Sequence, residues 1–128
     1  FNKLAAKLVT SGNEILKEVS EKGNIDAIII DELFLIEGSA DACIELFKKG
    51  YDVVIASIDL NFAGKPFDEI EKIMPFCTRI VKCKAVCPIC QKDARYTLRK
   101  DKDTNEILVG GSDIYEPRCQ EHHPFMRL

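Results

Sequence analysis

Two short spacings constrain this chain more than anything else in it. Cys87-Pro-Ile-Cys90 and Cys119-Gln-Glu-His122 each place two residues between a pair of metal-type donors. A turn of that length aims two soft ligands at one point, and two such turns complete the tetrahedron that Zn²⁺ prefers. A zinc centre closed by four protein ligands keeps no open position, so it organises structure and does not activate water. His123 stands beside His122, and Cys83 lies close to the first turn, as alternative ligands. The matched spacing favours Cys87, Cys90, Cys119 and His122.

The other three cysteines bear on the same question, because six could also make three disulfides. Cys43 falls on an apolar helix face, and Cys77 and Cys83 flank an apolar run, so one metal site in a reducing cytosol fits better than a secreted disulfide scaffold. The N-terminus has no basic, apolar, small-residue signal pattern, and no apolar run approaches the roughly 20 residues that span a bilayer. A net charge of −3 without a basic tract argues against a nucleic-acid backbone binder. With 128 residues the chain makes one domain, or one domain and a small appendage.

Hydrophobic periodicity divides it further. Residues 5–9 read as a short strand. Ser11 and Glu14 read as the N-cap and third position of a capping box, opening a helix with Ile15, Leu16 and Val19 on one face and an end near Gly23. Residues 25–30 and 53–58 are nearly unbroken apolar runs, the pattern of strands covered on both faces in a parallel sheet. Between them, residues 39–49 read as a helix with Cys43, Leu46 and Phe47 inward. A helix over 68–74 and a strand over 79–81 continue the alternation, which implies βαβ units and an α/β layered fold. Composition changes near Lys84. Beyond it, short strands over 94–98 and 106–109 are expected to form a hairpin across a polar connection, residues 100–105.

Three stretches besides the cysteines carry chemistry. Asp31-Glu32 ends a buried strand, where open parallel sheets bind ligands; such a pair can hold Mg²⁺ and accept a proton, or can simply be two solvated charges at a loop start. Residues 59–67 set Phe62 and Phe67 around Gly64 and Pro66, a shaped loop able to wall a planar ligand or to plug a core. Leu108-Val109-Gly110-Gly111 leads to Tyr115, and its glycines permit close backbone approach to a ligand or an ordinary hairpin exit. No G-x-x-x-x-G-K-[ST] occurs in these residues. Gly64-Lys65-Pro66 is no substitute, since proline removes an N–H that a phosphate cradle needs.

Taken in order, the pieces are Ile30-Asp31-Glu32, Asp59 with Asn-Phe-x-Gly-Lys-Pro-Phe, and Ala85-Val86-Cys87-x-x-Cys90. Tyr96-Thr97-Leu98-Arg99, Val109-Gly110-Gly111-x-x-x-Tyr115 and Cys119-x-x-His122 follow. This order resembles the C-terminal two-thirds of the type II thymidine kinases, over roughly residues 9–123. The resemblance implies a P-loop-NTPase-like parallel sheet with helices over residues 1–84, its N-terminal part missing, and a small zinc-ribbon or lasso domain over 85–128. The P-loop segment is expected upstream of Phe1.

The resemblance also implies roles. Glu32 matches the base that takes the proton from a nucleoside 5′-hydroxyl, and Asp31 the acidic residue associated with Mg²⁺ at the phosphates of ATP. Phe62 and Phe67 match aromatics of the nucleoside pocket, Thr97 a residue near the thymine base, and Arg99 a basic residue near the phosphates. Leu108, Val109, Gly110 and Tyr115 match the lasso, whose backbone reads the base and whose tyrosine packs on the nucleoside; structural zinc tethers it. Where such kinases carry a glutamine and aromatics after the acidic pair, this chain has Leu33-Phe34-Leu35-Ile36, so Phe34 or Leu35 takes the aromatic slot. The implied protein is a cytoplasmic homotetramer that converts thymidine with ATP to the monophosphate, with deoxyuridine as a further candidate substrate. Thymidine triphosphate is its expected feedback inhibitor, with no nucleic-acid or membrane partner. A nucleoside-binding protein without catalysis, or a zinc-ribbon interaction module, is the alternative.

Overall fold

The computed structural model describes residues 2–102 and 105–127. The chain gathers into two compact units, one of residues Phe1–Ile58 and Asp68–Cys77, the other of Asp59–Phe67 and Thr78–Leu128.

In the first unit, helix α1 (Gly12–Lys22) starts where the capping residues place it. Ser11 is extended and its Oγ accepts the Glu14 N–H at 3.3 Å. The returning bond is offset by one residue: the Glu14 carboxylate accepts the N–H of Thr10 at 2.7 Å. Gly23, at φ +74°, ends the helix in a conformation that costs glycine little. Strands β1 (Ala27–Asp31) and β2 (Asp52–Ala56) pair in parallel, from Ala27 opposite Asp52 to Asp31 opposite Ala56. Helix α2 (Ser39–Lys48) makes the crossover between them and packs on α1 and on α3 (Asp68–Ile73). Ile15, Val19, Ile30, Leu33, Ile36, Ala40, Cys43, Leu46, Ile70 and Ile73 are buried and form the core residues of this unit.

Two contacts fix how α2 sits. Gly12 lies so close to the Gly38 carbonyl that a Cβ there would come within 2.1 Å of its oxygen. Gly38, the N-cap of α2, has no side chain to cap with; Glu69 supplies the carboxylate from α3. Its oxygens accept the N–H groups of Gly38 at 2.8 Å and Ala40 at 2.7 Å. A negative group there satisfies orphan donors and complements the helix dipole.

The second unit is built from two short antiparallel pairs. Strand β3 (Ala85–Val86) pairs with β4 (Asp93–Ala94), and β5 (Tyr96–Arg99) pairs with β6 (Tyr115–Arg118). Both β3 and β4 contact β6.

Several sequence expectations need correction. Residues 5–9 form no strand, and the nearby Leu4 and Leu8 are exposed; no partner among the described residues completes a ladder for them. β1 and β2 are covered on one face only, since Ile29 and Val54 are 76% and 55% exposed; a wider, doubly covered sheet is not formed among the described residues. Residues 79–81 are irregular and exposed. Helix α3 stops at Ile73, where a 3₁₀ turn, Met74–Phe76, takes over around Pro75, whose ring opposes a continuing α-helix. The expected hairpin is replaced by β5–β6: residues 106–109 lie outside any strand, and Tyr115–Arg118 takes the place beside β5. Of the polar connection at 100–105, residues 103 and 104 lie outside the described residues.

Candidate functional site

The β3–β4 turn carries the first two thiols. The Cys87 N–H donates to Lys92 O and the Gln91 N–H to Cys87 O, both at 2.9 Å. Gln91 reverses the chain at φ +62°, a left-handed conformation uncommon outside glycine. The second pair comes from the end of β6: Cys119 precedes a 3₁₀ turn, Gln120–His122, and the His122 N–H returns to Cys119 O at 3.2 Å. One ligand atom from each of Cys87, Cys90, Cys119 and His122 lies within 4.8 Å of the others. Cys90 Sγ is 3.6 Å from Cys119 Sγ, and His122 Nδ1 is 3.2 Å from Cys119 Sγ and 3.9 Å from Cys87 Sγ. Ligands about 2.0–2.3 Å from a tetrahedral zinc stand about 3.3–3.8 Å apart, so this donor set fits the ion. Burial pushes the Cys87 thiol up, but N–H groups of Cys119, Cys90 and Ile89 and the Cys90 side chain outweigh it and bring the pKa down to about 6. Outside the cluster, the buried Cys43 thiol is pushed up to about 11, chiefly by burial, and stays protonated.

The choice between the two histidines follows from their partners. His123 is buried; its Nε2 lies 2.9 Å from the Thr97 carbonyl, and its Nδ1 accepts the Phe125 N–H at 3.3 Å. Through these two bonds His123 ties β5 to the C-terminal turn. His122 is the one turned to the thiols.

Asp31 closes β1, and its Oδ1 accepts the Glu32 N–H at 3.0 Å. Glu32 adopts φ +54°, ψ +42°, a left-handed geometry that costs a non-glycine residue about 1 kcal/mol or more. Such residues cluster where function holds them. Although Glu32 is exposed as a whole, partial burial of its carboxyl, and then the Asp31 charge, raise its pKa above the ordinary 4.5. Leu33 behind it is fully buried, Phe34 is half-buried with its N–H on Ser57 Oγ, and Leu35 is 46% exposed.

The remaining residues named above belong to the second unit. Asn61 shapes the aromatic loop: its Oδ1 accepts the N–H groups of Ala63 and Lys65, each at 3.0 Å. Gly64, at φ +75°, also has Met126 Sδ where a Cβ would sit. Phe67 is buried and donates its N–H to Asp59 O. Phe62 is half-buried, edge-on to Phe125 at 6.5 Å, and the Arg99 guanidinium lies 4.1 Å from its ring centroid.

Arg99 is 7% exposed, and its donors run to the carbonyls of Asn105 and Glu106 and to the Tyr115 hydroxyl. That hydroxyl in turn donates to Leu108 O. The resemblance reads Arg99 as a basic residue near the phosphates; in the structure these donors reach two protein carbonyls and the Tyr115 hydroxyl. Thr97 is half-buried beside Pro117. Val109 is 87% exposed, and Gly110 allows Ile114 to approach where a Cβ would lie 2.2 Å from Cδ1. Sequence reasoning missed Asn61, Glu106 and His123 as organisers. Only Asn61 had a signal, an Asx residue heading a glycine-bearing turn.

A protein-family model for thymidine kinase matches residues 2–123. That span takes in the acidic end of β1, the aromatic loop, both cysteine turns and Tyr115, and covers nearly the whole sequence; the chain belongs to the thymidine kinase family.

Proposed function

We propose that this chain carries the nucleoside-phosphorylating part of a thymidine kinase, transferring the γ-phosphoryl group of ATP to the 5′-hydroxyl of thymidine. The observation that carries the reading is Glu32, whose partly buried carboxylate sits in strained left-handed geometry at the C-terminal end of a parallel strand, within the family match. Its raised pKa suits a general base, because a base is most useful with a pKa near the working pH. Glu32 accepts the hydroxyl proton as the oxygen attacks phosphorus; that oxygen forms the new P–O bond and ADP leaves with the electrons of the broken one. Asp31 would be the side chain associated with the Mg²⁺ that accompanies ATP, and that ion would supply neutralisation of charge on the transferred group. Phe62, Phe67 and Thr97 contact the nucleoside, and the backbone of Leu108, Val109 and Gly110 reads the base, with Tyr115 against the sugar and base. Reading a base through main-chain groups requires a loop with little freedom, and zinc at Cys87, Cys90, Cys119 and His122 limits it.

The reading extends to a P-loop-NTPase-like sheet for the kinase as a whole, a homotetrameric cytoplasmic enzyme, and thymidine triphosphate as feedback inhibitor. Among the described residues no helix is long and apolar enough to cross a membrane. The test is Glu32→Gln in the full-length protein. Turnover of thymidine should fall by about 10²–10⁴-fold, while zinc content and thymidine binding stay at wild-type levels. Near-normal turnover in that variant would remove Glu32 as the base.

A further inference from the structure

Residues 105–114 belong to no strand or helix, and most of them are solvent-exposed, yet the carbonyls of Asn105, Glu106 and Leu108 are tied to one buried cation, directly or through Tyr115. Arg99 leaves the end of β5 with its guanidinium over the Phe62 ring, 4.1 Å from the centroid. Its two terminal nitrogens donate to Asn105 O, to Glu106 O at 2.9 Å and to Tyr115 Oη at 3.3 Å. Tyr115 passes the restraint on, donating to Leu108 O. A second link runs from Asn61 Nδ2 to Glu106 Oε1 at 3.0 Å, so the aromatic loop and residues 105–108 share both connections. The planar fork of arginine can serve two successive carbonyls and stack on an aromatic face at once; a lysine ammonium has neither the plane nor the spread.

We propose that Arg99 is a positioning residue for nucleoside binding: it locks Phe62 and the carbonyl row of residues 105–108 into one preset arrangement before the ligand arrives. This rests on the nucleoside-binding reading of Phe62, Leu108 and Tyr115 given above, and it replaces a phosphate role for Arg99. A ligand read by backbone groups then meets a loop whose ordering entropy has already been spent, which raises affinity without a new contact. The described partners of Arg99 are the Phe62 and Tyr115 side chains and the carbonyls of Asn105 and Glu106.

The experiment uses the full-length protein with Arg99→Lys and Arg99→Met, read in two ways. Native-state cleavage by thermolysin at Ile107, Leu108 or Val109 should be faster in both variants by about tenfold or more, since each loses hydrogen bonds from a charged donor. In steady-state kinetics the KM for thymidine should rise by about tenfold in both, with lysine giving no rescue and the KM for ATP staying within about twofold. Unchanged cleavage in both variants overturns the proposal. So does rescue by lysine with a raised KM for ATP, the signature of a phosphate contact. If a variant loses zinc or fails to fold, Tyr115→Phe removes only the hydroxyl between Arg99 and Leu108. It should speed cleavage near Leu108 by a smaller factor, and no change there also overturns the proposal. Cleavage needs no turnover, so a protein that does not phosphorylate thymidine would defeat the functional reading while Arg99 is still judged by the protease.

Discussion

The first unit buries Ile15, Val19, Ile30, Leu33, Leu46 and Ile70 from every one of its helices and from β1, while the buried hydrophobic cluster of the second is Cys87, Ala94 and Cys119. One is assembled by apolar area, at about 1.5–3 kcal/mol for each large side chain removed from water. The other spends its most buried positions on thiols, on Arg99 and on His123, and so depends on what those groups bind. A core of aliphatic side chains tolerates small shifts, because the hydrophobic effect has no direction. A metal held by the thiols, together with the Arg99 guanidinium, would fix bond directions, which is what the proposed base-reading loop needs. The contrast teaches a division of labour: the first unit supplies a stable strand end for Asp31 and Glu32, and the second supplies preset geometry.

The largest expected effect breaks the second unit and spares the first. On the zinc reading of Cys87, Cys90, Cys119 and His122, Cys119→Ser, or chelation, removes a metal whose binding is worth on the order of 10 kcal/mol in structural zinc sites. β3–β6 should lose amide protection together while α1, α2 and β1 keep theirs, as hydrogen exchange followed by mass spectrometry would report. Equal loss in both units would mean that the zinc turns are not the organising element of the second unit. Ion pairs such as Lys92–Glu121, at 3.3 Å between exposed side chains, cannot make good the loss.

How much of this was legible in the sequence follows the same division. The cluster of candidate metal ligands was readable because metal geometry demands a fixed spacing, α1 because cap and apolar period agree, and α2 from its apolar period alone, although Phe47, expected inward, is 46% exposed. β6 was missed for a physical reason: Pro117 cannot donate to a ladder, so Tyr115–Arg118 does not read as a strand until β5 supplies its partner. Residues 5–9 failed in the opposite sense, apolar enough for a strand but without a neighbour to pair with among the described residues. The pattern of residues 25–30 overstated burial, since Ile29 is as apolar as Ile30 and lies on the uncovered face. Side-chain-to-backbone anchors across long separations, Glu69 on Gly38 and His123 on Thr97, leave no periodic trace at all. Where Asp31 and Glu32 fall was legible; the left-handed backbone at Glu32 was not, because nothing in a glutamate announces it.

A medium effect tests the first unit's side of the comparison. Glu69→Ala leaves the N–H groups of Gly38 and Ala40 without their carboxylate, and hydrogen bonds to a charged group contribute about 1.5–3 kcal/mol. Denaturant unfolding of the first unit should shift by about that amount, with zinc content unchanged. Glu69→Gln should recover part of the loss, since an amide oxygen can still accept one of the two bonds. A loss below about 0.5 kcal/mol would show that solvent replaces the cap, and that apolar packing alone sets the position of α2.

The smallest effect sharpens the comparison at the acidic end of β1. Two causes raise the Glu32 pKa, burial first and the Asp31 charge second, and Asp31→Asn removes only the second. The Glu32 midpoint, followed by carbon-detected NMR of its carboxyl, should therefore move down toward 4.5 and stop short of it. The sign carries into stability. A carboxyl whose folded pKa is raised favours the fold fully below its unfolded pKa, and loses that contribution as pH rises through the folded value. Wild-type protein thus gives up a small increment over that window, and Asp31→Asn should give up less. If the kinase reading holds, the acid limb of the pH–rate profile shifts to lower pH in the same direction. A midpoint that stays put would leave burial as the sole cause. A midpoint that falls all the way to 4.5 would mean the strained turn at Glu32 exposes its carboxyl fully and that Asp31 alone tunes it.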